Sequence, residues 1–99
     1  MVRWMRTAQT SGGKVREAMQ WGKEVVEYVN AKHDSHASVY YDAFGEYMTI
    51  RWFVDEESLA VLEQKFGKVM ADPGYWQVLS KAADLLLEGS IVDTVMRLV

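Results

Sequence analysis

The stretch Ser38–Val54, SVYYDAFGEYMTIRWFV, constrains this chain more than any other. Tyr, Val, Phe, Ile, Thr and Trp dominate it, and such side chains suit a pleated, half-buried surface. Gly45-Glu46 supplies a turn, so the stretch reads as a hairpin. One strand covers about Ala37–Phe44 and the next Tyr47–Val54. On the second strand Met48, Ile50, Trp52 and Val54 alternate with Tyr47, Thr49, Arg51 and Phe53. The first row is wholly apolar and is expected to meet helices. The second is amphipathic.

The chain before and after the hairpin has a regular order. Val2–Gln9 reads as a first strand, with Val2, Trp4, Arg6 and Ala8 on one face and Arg3, Met5, Thr7 and Gln9 on the other. Thr10-Ser11-Gly12-Gly13 then breaks the pattern. From Lys14 to about Lys32, Val15, Ala18, Met19, Gly22, Val25, Val26 and Val29 form one continuous helical stripe. Beyond the hairpin, Asp55 is a candidate N-cap for a helix carrying Leu59, Leu62, Phe66, Val69 and Met70. Asp72-Pro73 starts another helix, with Asp72 as the cap and Pro73 at its first position. Trp76, Leu79, Ala82, Ala83, Leu86 and Leu87 carry that helix to Gly89, and Ser90–Val99 forms the last strand. The order β-α-β-β-α-α-β predicts a ferredoxin-like α+β fold. Its four-stranded antiparallel sheet has helices on one face, and one domain spans residues 1–99.

Composition narrows the functional classes. The net charge is −3 and no basic run occurs, which argues against a nucleic-acid partner. There is no cysteine, so thiolate chemistry, disulfides and cysteine metal sites are excluded. The N-terminal MVRWMRTAQ lacks the apolar core of a signal peptide, and no apolar run could cross a bilayer. The expectation is a soluble, cytoplasmic chain with no membrane partner. Aromatic residues make up 12% and include four tryptophans, more large apolar surface than one small core needs. Such an excess points to a subunit interface or a ligand cavity.

A ferredoxin-like sheet leaves one face without helices. That face is expected to carry Tyr47, Thr49, Arg51 and Phe53 together with Val95 and Val99. A second copy of the chain is the simplest cover, so a homodimer through the open sheet face is expected. The break Ala71-Asp72-Pro73-Gly74-Tyr75-Trp76-Gln77, followed by Lys81-Ala82-Ala83, is similar to the helix junction of NIPSNAP-like proteins. With the element order, the chain resembles the dimeric α+β barrel superfamily, which includes antibiotic-biosynthesis-type monooxygenases and stress-responsive barrel proteins. The resemblance spans the whole chain in topology and residues 66–88 in wording. It implies a dimeric α+β barrel with a pocket between sheet and helices. The catalytic Asn/Trp/His signature of the oxygenases has no match in aligned positions, so no catalytic residue transfers.

Several residues compete for chemical roles. His33-Asp34-Ser35-His36 holds both histidines. A polar helix-to-strand turn accounts for it better than a metal site, because no third ligand has a motif-defined position. Gly12-Gly13-Lys14 fails as a phosphate loop, with Ala8 and Val15 where a Gly and a Ser or Thr are required. Arg6, Arg51, Arg97 and Asp93 sit on strands and read as ion pairs ahead of an anion site for a carboxylate or enolate. Trp21, Trp52, Trp76, Tyr28, Tyr40 and Tyr41 serve either as core or as the walls of a pocket for a flat apolar molecule. The pocket candidates are Trp21, Tyr41, Trp52, Trp76, His36 and Arg51, with no metal or cofactor assigned.

Two functions from different classes follow. One is a small enzyme or binding protein, of the cofactor-independent oxygenase type that the resemblance implies, acting on a small apolar or aromatic molecule. The other is a noncatalytic dimeric module. A cavity above ~300 Å³ holding a Tyr, His or Arg favours the first; a filled core favours the second. Haem ligation by a histidine beside the tryptophans is a third, lesser reading.

Overall fold

A computed structural model describes residues 1–46 and 48–99 of the chain. The elements run β1 (Val2–Gln9), α1 (Val15–His33), β2 (Ala37–Tyr41), β3 (Thr49–Glu56), α2 (Leu59–Met70), α3 (Pro73–Ser80) and β4 (Val92–Arg97). The strands form one antiparallel sheet in the order β2-β3-β1-β4. This is the predicted ferredoxin-like arrangement, with β1 and β3 at the centre.

Register assigns every strand residue to a face, because partners directly opposite each other point the same way. Trp4 faces Val54 and Val95, Arg6 faces Trp52 and Asp93, and Val39 faces Trp52. These residues share the helix-covered side with Val2, Ala8 and Ile50. The open side carries Arg3, Met5 and Thr7 with Arg51, Phe53 and Asp55, and Tyr40 joins them from β2. The core gathers Val2, Trp4, Ala8, Ile50 and Trp52 of the sheet against Ala18, Trp21, Val25 and Val29 of α1, Leu62 and Val69 of α2, and Tyr75 of α3. α1 lies close on the sheet because Gly22 has no side chain. A Cβ there would stand 3.2 Å from Trp52 Cζ2.

β1 matches its expected span, and α1 lies within a residue of it. Four expectations do not hold. First, the hairpin turn is longer than Gly45-Glu46. β2 ends at Tyr41 and β3 begins at Thr49, with the Asp42 amide donating to the Thr49 carbonyl at 3.3 Å. Met48 leaves the apolar row and adopts φ 64° in the loop. Tyr47, expected on the open face, lies outside the described residues.

Second, the cap of α2 is Ser58, whose hydroxyl accepts from the Val61 amide at 3.3 Å. Asp55 instead stays in β3 and binds Arg3. Third, α3 stops at Ser80 and does not continue to Gly89. Leu85 and Leu87 hydrogen-bond back to Ser11 and Gln9, and Leu86 bridges Thr10. Extending the edge of β1 in this way removes those residues from the helix. Fourth, β4 is shorter than Ser90–Val99, and its faces are reversed. Val95 sits opposite Trp4 on the covered side, Val99 lies past the strand, and Val92, Thr94 and Met96 take the open side.

Candidate functional site

The space between the covered face of the sheet and the helices is not filled. A cavity of about 240 Å³ lies there. Trp4, Arg6, Trp52 and Val54 bound it from the sheet. Trp21, Val25 and Val29 of α1, Leu62, Phe66 and Val69 of α2, and Tyr75 and Leu79 of α3 bound it from the helices. Its volume falls short of the ~300 Å³ usual for ligand pockets, yet it contains an Arg and a Tyr.

The aromatic walls are held in fixed orientations. Trp21 and Trp52 meet edge to face, with centroids 5.7 Å apart at 79°. Trp4 and Phe66 do the same at 5.1 Å and 80°. Trp21 Nε1 donates to the Val78 carbonyl at 2.9 Å, which locks the ring and ties α1 to α3. Buried indoles usually find such a partner.

The polar groups on the cavity are few. Arg6 donates from Nε and Nη2 to the two carboxylate oxygens of Asp93, at 2.7 and 2.8 Å. Its guanidinium lies over the Trp4 ring, 5.2 Å from the centroid. The hydrogen bond to Asp93 raises the Arg6 pKa, and Tyr75 adds a smaller contribution in the same direction. The Asp93 carboxyl is held below its ordinary range, chiefly by Arg6. At the other end of β1, Val2 stands opposite Glu56. Glu56 takes Lys65 Nζ at 2.8 Å, and Lys65 also borders the cavity. Val2 and Arg6 are four residue steps apart along β1, roughly 13 Å, so the cavity has a cation towards each end.

A second polar centre holds the helix junction. Asp72 caps α3 by accepting from the Gly74 amide at 2.9 Å. It also accepts from Tyr28 Oη at 2.6 Å, and it contacts His33 Nε2 at 2.8 Å and Lys32 Nζ at 3.1 Å. An ionised carboxylate only accepts, so the Nε2 of His33 carries a proton. The Tyr28 hydroxyl, then His33, push the Asp72 carboxyl far below the usual carboxylate range. The Asp-Pro-Gly-Tyr-Trp segment thus has two tasks. Asp72 fastens the C-terminal end of α1, and Tyr75 turns into the cavity.

Of the sequence-derived candidates, the cavity brings together Trp21 and Trp52. Trp76 lies outside it, 48% exposed, with Nε1 donating to the Met70 carbonyl at 2.8 Å. Tyr41, His36 and Arg51 border a separate, open concavity on the uncovered sheet face, with Arg3, Tyr40 and Phe53. There Arg51 donates to both oxygens of Asp42 at 3.0 Å and to Thr7 at 3.1 Å. His33 turns to Asp72, while His36 stands exposed 3.4 Å from Asp34, so the two imidazoles do not converge. Among the described residues, no group of three or more His, Cys, Asp or Glu side chains is arranged to hold a metal ion. No helix among them is long and apolar enough to cross a membrane.

Arg6, Tyr75, Trp4 and Phe66 are absent from the sequence-derived pocket set. A signal for Arg6 existed in the alternation that puts it on one face with Val2, Trp4 and Ala8. The signal for Tyr75 is weaker. Tyr75 lies four residues and Trp76 three before Leu79, so both fit its helical stripe, and only the folded chain separates them, burying Tyr75 and exposing Trp76.

No family model matches the sequence, and no curated protein does. Solved structures do share the fold. A NIPSNAP family protein from Agrobacterium tumefaciens superposes with a TM-score of 0.80 at 15% identity, over 97% of this chain and 90% of that one. An uncharacterised NIPSNAP domain protein from Burkholderia xenovorans gives 0.80 at 14% identity, over 100% and 95%. An antibiotic biosynthesis monooxygenase gives 0.72 at 10% identity, over 100% and 99%. At these identities the likeness is one of fold.

Proposed function

We propose that this chain, which has the fold shared by NIPSNAP family proteins and an antibiotic biosynthesis monooxygenase, takes a small, flat, apolar molecule into the cavity between its sheet and helices. The observation that carries this reading is the cavity itself: about 240 Å³ walled by Trp4, Trp21, Trp52 and Phe66. Packed interiors leave few voids larger than a water molecule. Apolar cavities of about 150 Å³ stay dry and take up benzene. A void of this size is therefore room for one ring or two fused rings.

The reaction that suits such a site is oxygenation in the manner of the monooxygenase neighbour. The cavity's part is to hold the ring against the edge-to-face pairs Trp21–Trp52 and Trp4–Phe66.

The chain works as a homodimer through the open sheet face. Phe53 and Tyr40 form an edge-to-face pair there, 5.5 Å between centroids, with Arg3 over the Phe53 ring. Met5, Val92 and Met96 add apolar area. The arginines on this face are already paired, Arg3 with Asp55 and Arg51 with Asp42, so a cover would bury no lone charge.

Titration with naphthalene, followed by tryptophan fluorescence, tests the binding reading. Saturable quenching is expected, with affinity reduced at least tenfold in Ala82→Phe, which puts a ring into the cavity. Absence of saturable binding would refute it.

A further inference from the structure

Arg6 is a cation set in the wall of a largely apolar cavity, and only one of its two hydrogen-bonding edges is taken by a carboxylate. Nε and Nη2 donate to Asp93 along the side of the guanidinium. A guanidinium carries five N–H donors in a rigid fork. The end edge, made by Nη1 and the second hydrogen of Nη2, therefore keeps its donors. Asp93 is the one carboxylate bound to the guanidinium among the described residues, and the Tyr75 hydroxyl lies near enough to accept from it. Beside it stands Tyr75, only 6% exposed, whose hydroxyl is a further donor at the same place.

We propose that Arg6 and Tyr75 form a carboxylate-recognition end of the cavity, and that the ligand is a small aromatic monocarboxylic acid. This rests on the pocket reading above and names the ligand class for it. Two parallel N–H donors on one planar edge match the two oxygens of a carboxylate, which makes the pairing bidentate. Asp93 holds the guanidinium by its other edge, and the Trp4 face lies beneath it, so the fork is oriented before a ligand arrives. The Asp93 carboxylate is 44% exposed, and solvent weakens its repulsion of a second carboxylate. Apart from Ser35 and Lys65, whose charge is paired with Glu56, the remaining walls are apolar and suit the ring. An uncharged hydrocarbon fills the same space but leaves the Arg6 end edge and the Tyr75 hydroxyl unused.

The test compares 2-naphthoate with naphthalene, by tryptophan fluorescence at pH 7, on wild type, Arg6→Met and Tyr75→Phe. Wild type is expected to bind the acid about tenfold more tightly, the scale of one charge-assisted hydrogen-bonded contact. In Arg6→Met the preference collapses to about one. In Tyr75→Phe, which removes a single oxygen and serves if Arg6→Met does not fold, it falls several-fold. Equal binding of acid and hydrocarbon to wild type would overturn the carboxylate assignment and leave the pocket reading standing. A preference that survives both substitutions would overturn it as well. Binding of neither compound would overturn the pocket reading, and this one with it.

Discussion

Arg6 and Asp93 stand opposite each other on β1 and β4, on the helix-covered side of the sheet, and are joined by two hydrogen bonds of 2.7 and 2.8 Å. The pair closes one end of the cavity and fastens an edge strand that lacks helix cover. Asp93 is held below its ordinary range by Arg6, so its contribution is complete above the unfolded value near 3.9 and fades as pH falls through the lower folded value. The carboxylate is almost half exposed, so the pair is weak. Asp93→Asn is expected to cost about 1 kcal/mol or less in urea denaturation at pH 7. A cost above ~3 kcal/mol, the range of a broken buried pair, would contradict the partly solvated geometry.

Asp72 is different, because its side chain is only 5% exposed and collects four donors. Its folded pKa is strongly depressed, chiefly by Tyr28 and His33. The stabilisation is therefore present above the unfolded Asp value and is lost as pH falls through the folded one. Asp72→Asn should lower Tm by roughly 5–10 °C at pH 7, as expected for a lost cap with its partners. The deficit should be constant above pH 5 and shrink only as pH is lowered below about 4, the unfolded Asp value. A variant with wild-type Tm at pH 7 would contradict this role.

Gly74 gives a prediction opposite to helix propensity. Glycine inside a helix is ordinarily improved by alanine, by up to about 1 kcal/mol. A Cβ at Gly74, however, would fall on the Tyr28 hydroxyl, which is hydrogen-bonded to Asp72. Gly74→Ala should therefore destabilise the chain, by about 1–2 kcal/mol. Removing the hydroxyl relieves the clash, so in a Tyr28→Phe background the same substitution should cost less or become favourable. Chemical denaturation of the four proteins in this double-mutant cycle reads the coupling directly.

The fold was legible in the sequence to the extent that periodicity expresses it. β1 and the stripe of α1 come from alternation and helical spacing, and Asp72-Pro73 announces its own helix. What was not legible was decided by long-range pairing. The hairpin turn is set by Asp42 closing on Arg51 and Thr49, which no local pattern reveals. The end of α3 is set by Leu85 and Leu87 pairing with the end of β1, although Leu79, Ala82, Ala83, Leu86 and Leu87 are spaced as on a helix. The faces of β4 are set by register against β1. The site suffered from the same limits. Tyr41, His36 and Arg51 are on or next to β2 and β3, but they border the other side of the sheet from Trp21 and Trp52. Arg6 reads from the sequence as an ion pair ahead of an anion site, although its alternation with Trp4 already places it on the cavity side.

The open face predicts the assembly. Wild type should sediment at twice the mass of the chain at micromolar concentration. Phe53→Asp, which puts a charge among Tyr40, Arg3 and Met5, should sediment as a monomer with unchanged far-ultraviolet circular dichroism. A monomeric wild type would contradict the dimer proposal.

The central claim is that a flat apolar ligand enters between sheet and helices, and the four tryptophans allow a direct measurement. Trp4, Trp21 and Trp52 line the cavity, while Trp76 lies on the outer surface of α3. In a titration of ¹⁵N-labelled protein with 2-naphthoate, the indole N–H signals of the first three should shift together and saturate, and that of Trp76 should stay still. Shifts confined to Trp76, or no saturable shift in Trp21 and Trp52, would contradict the account.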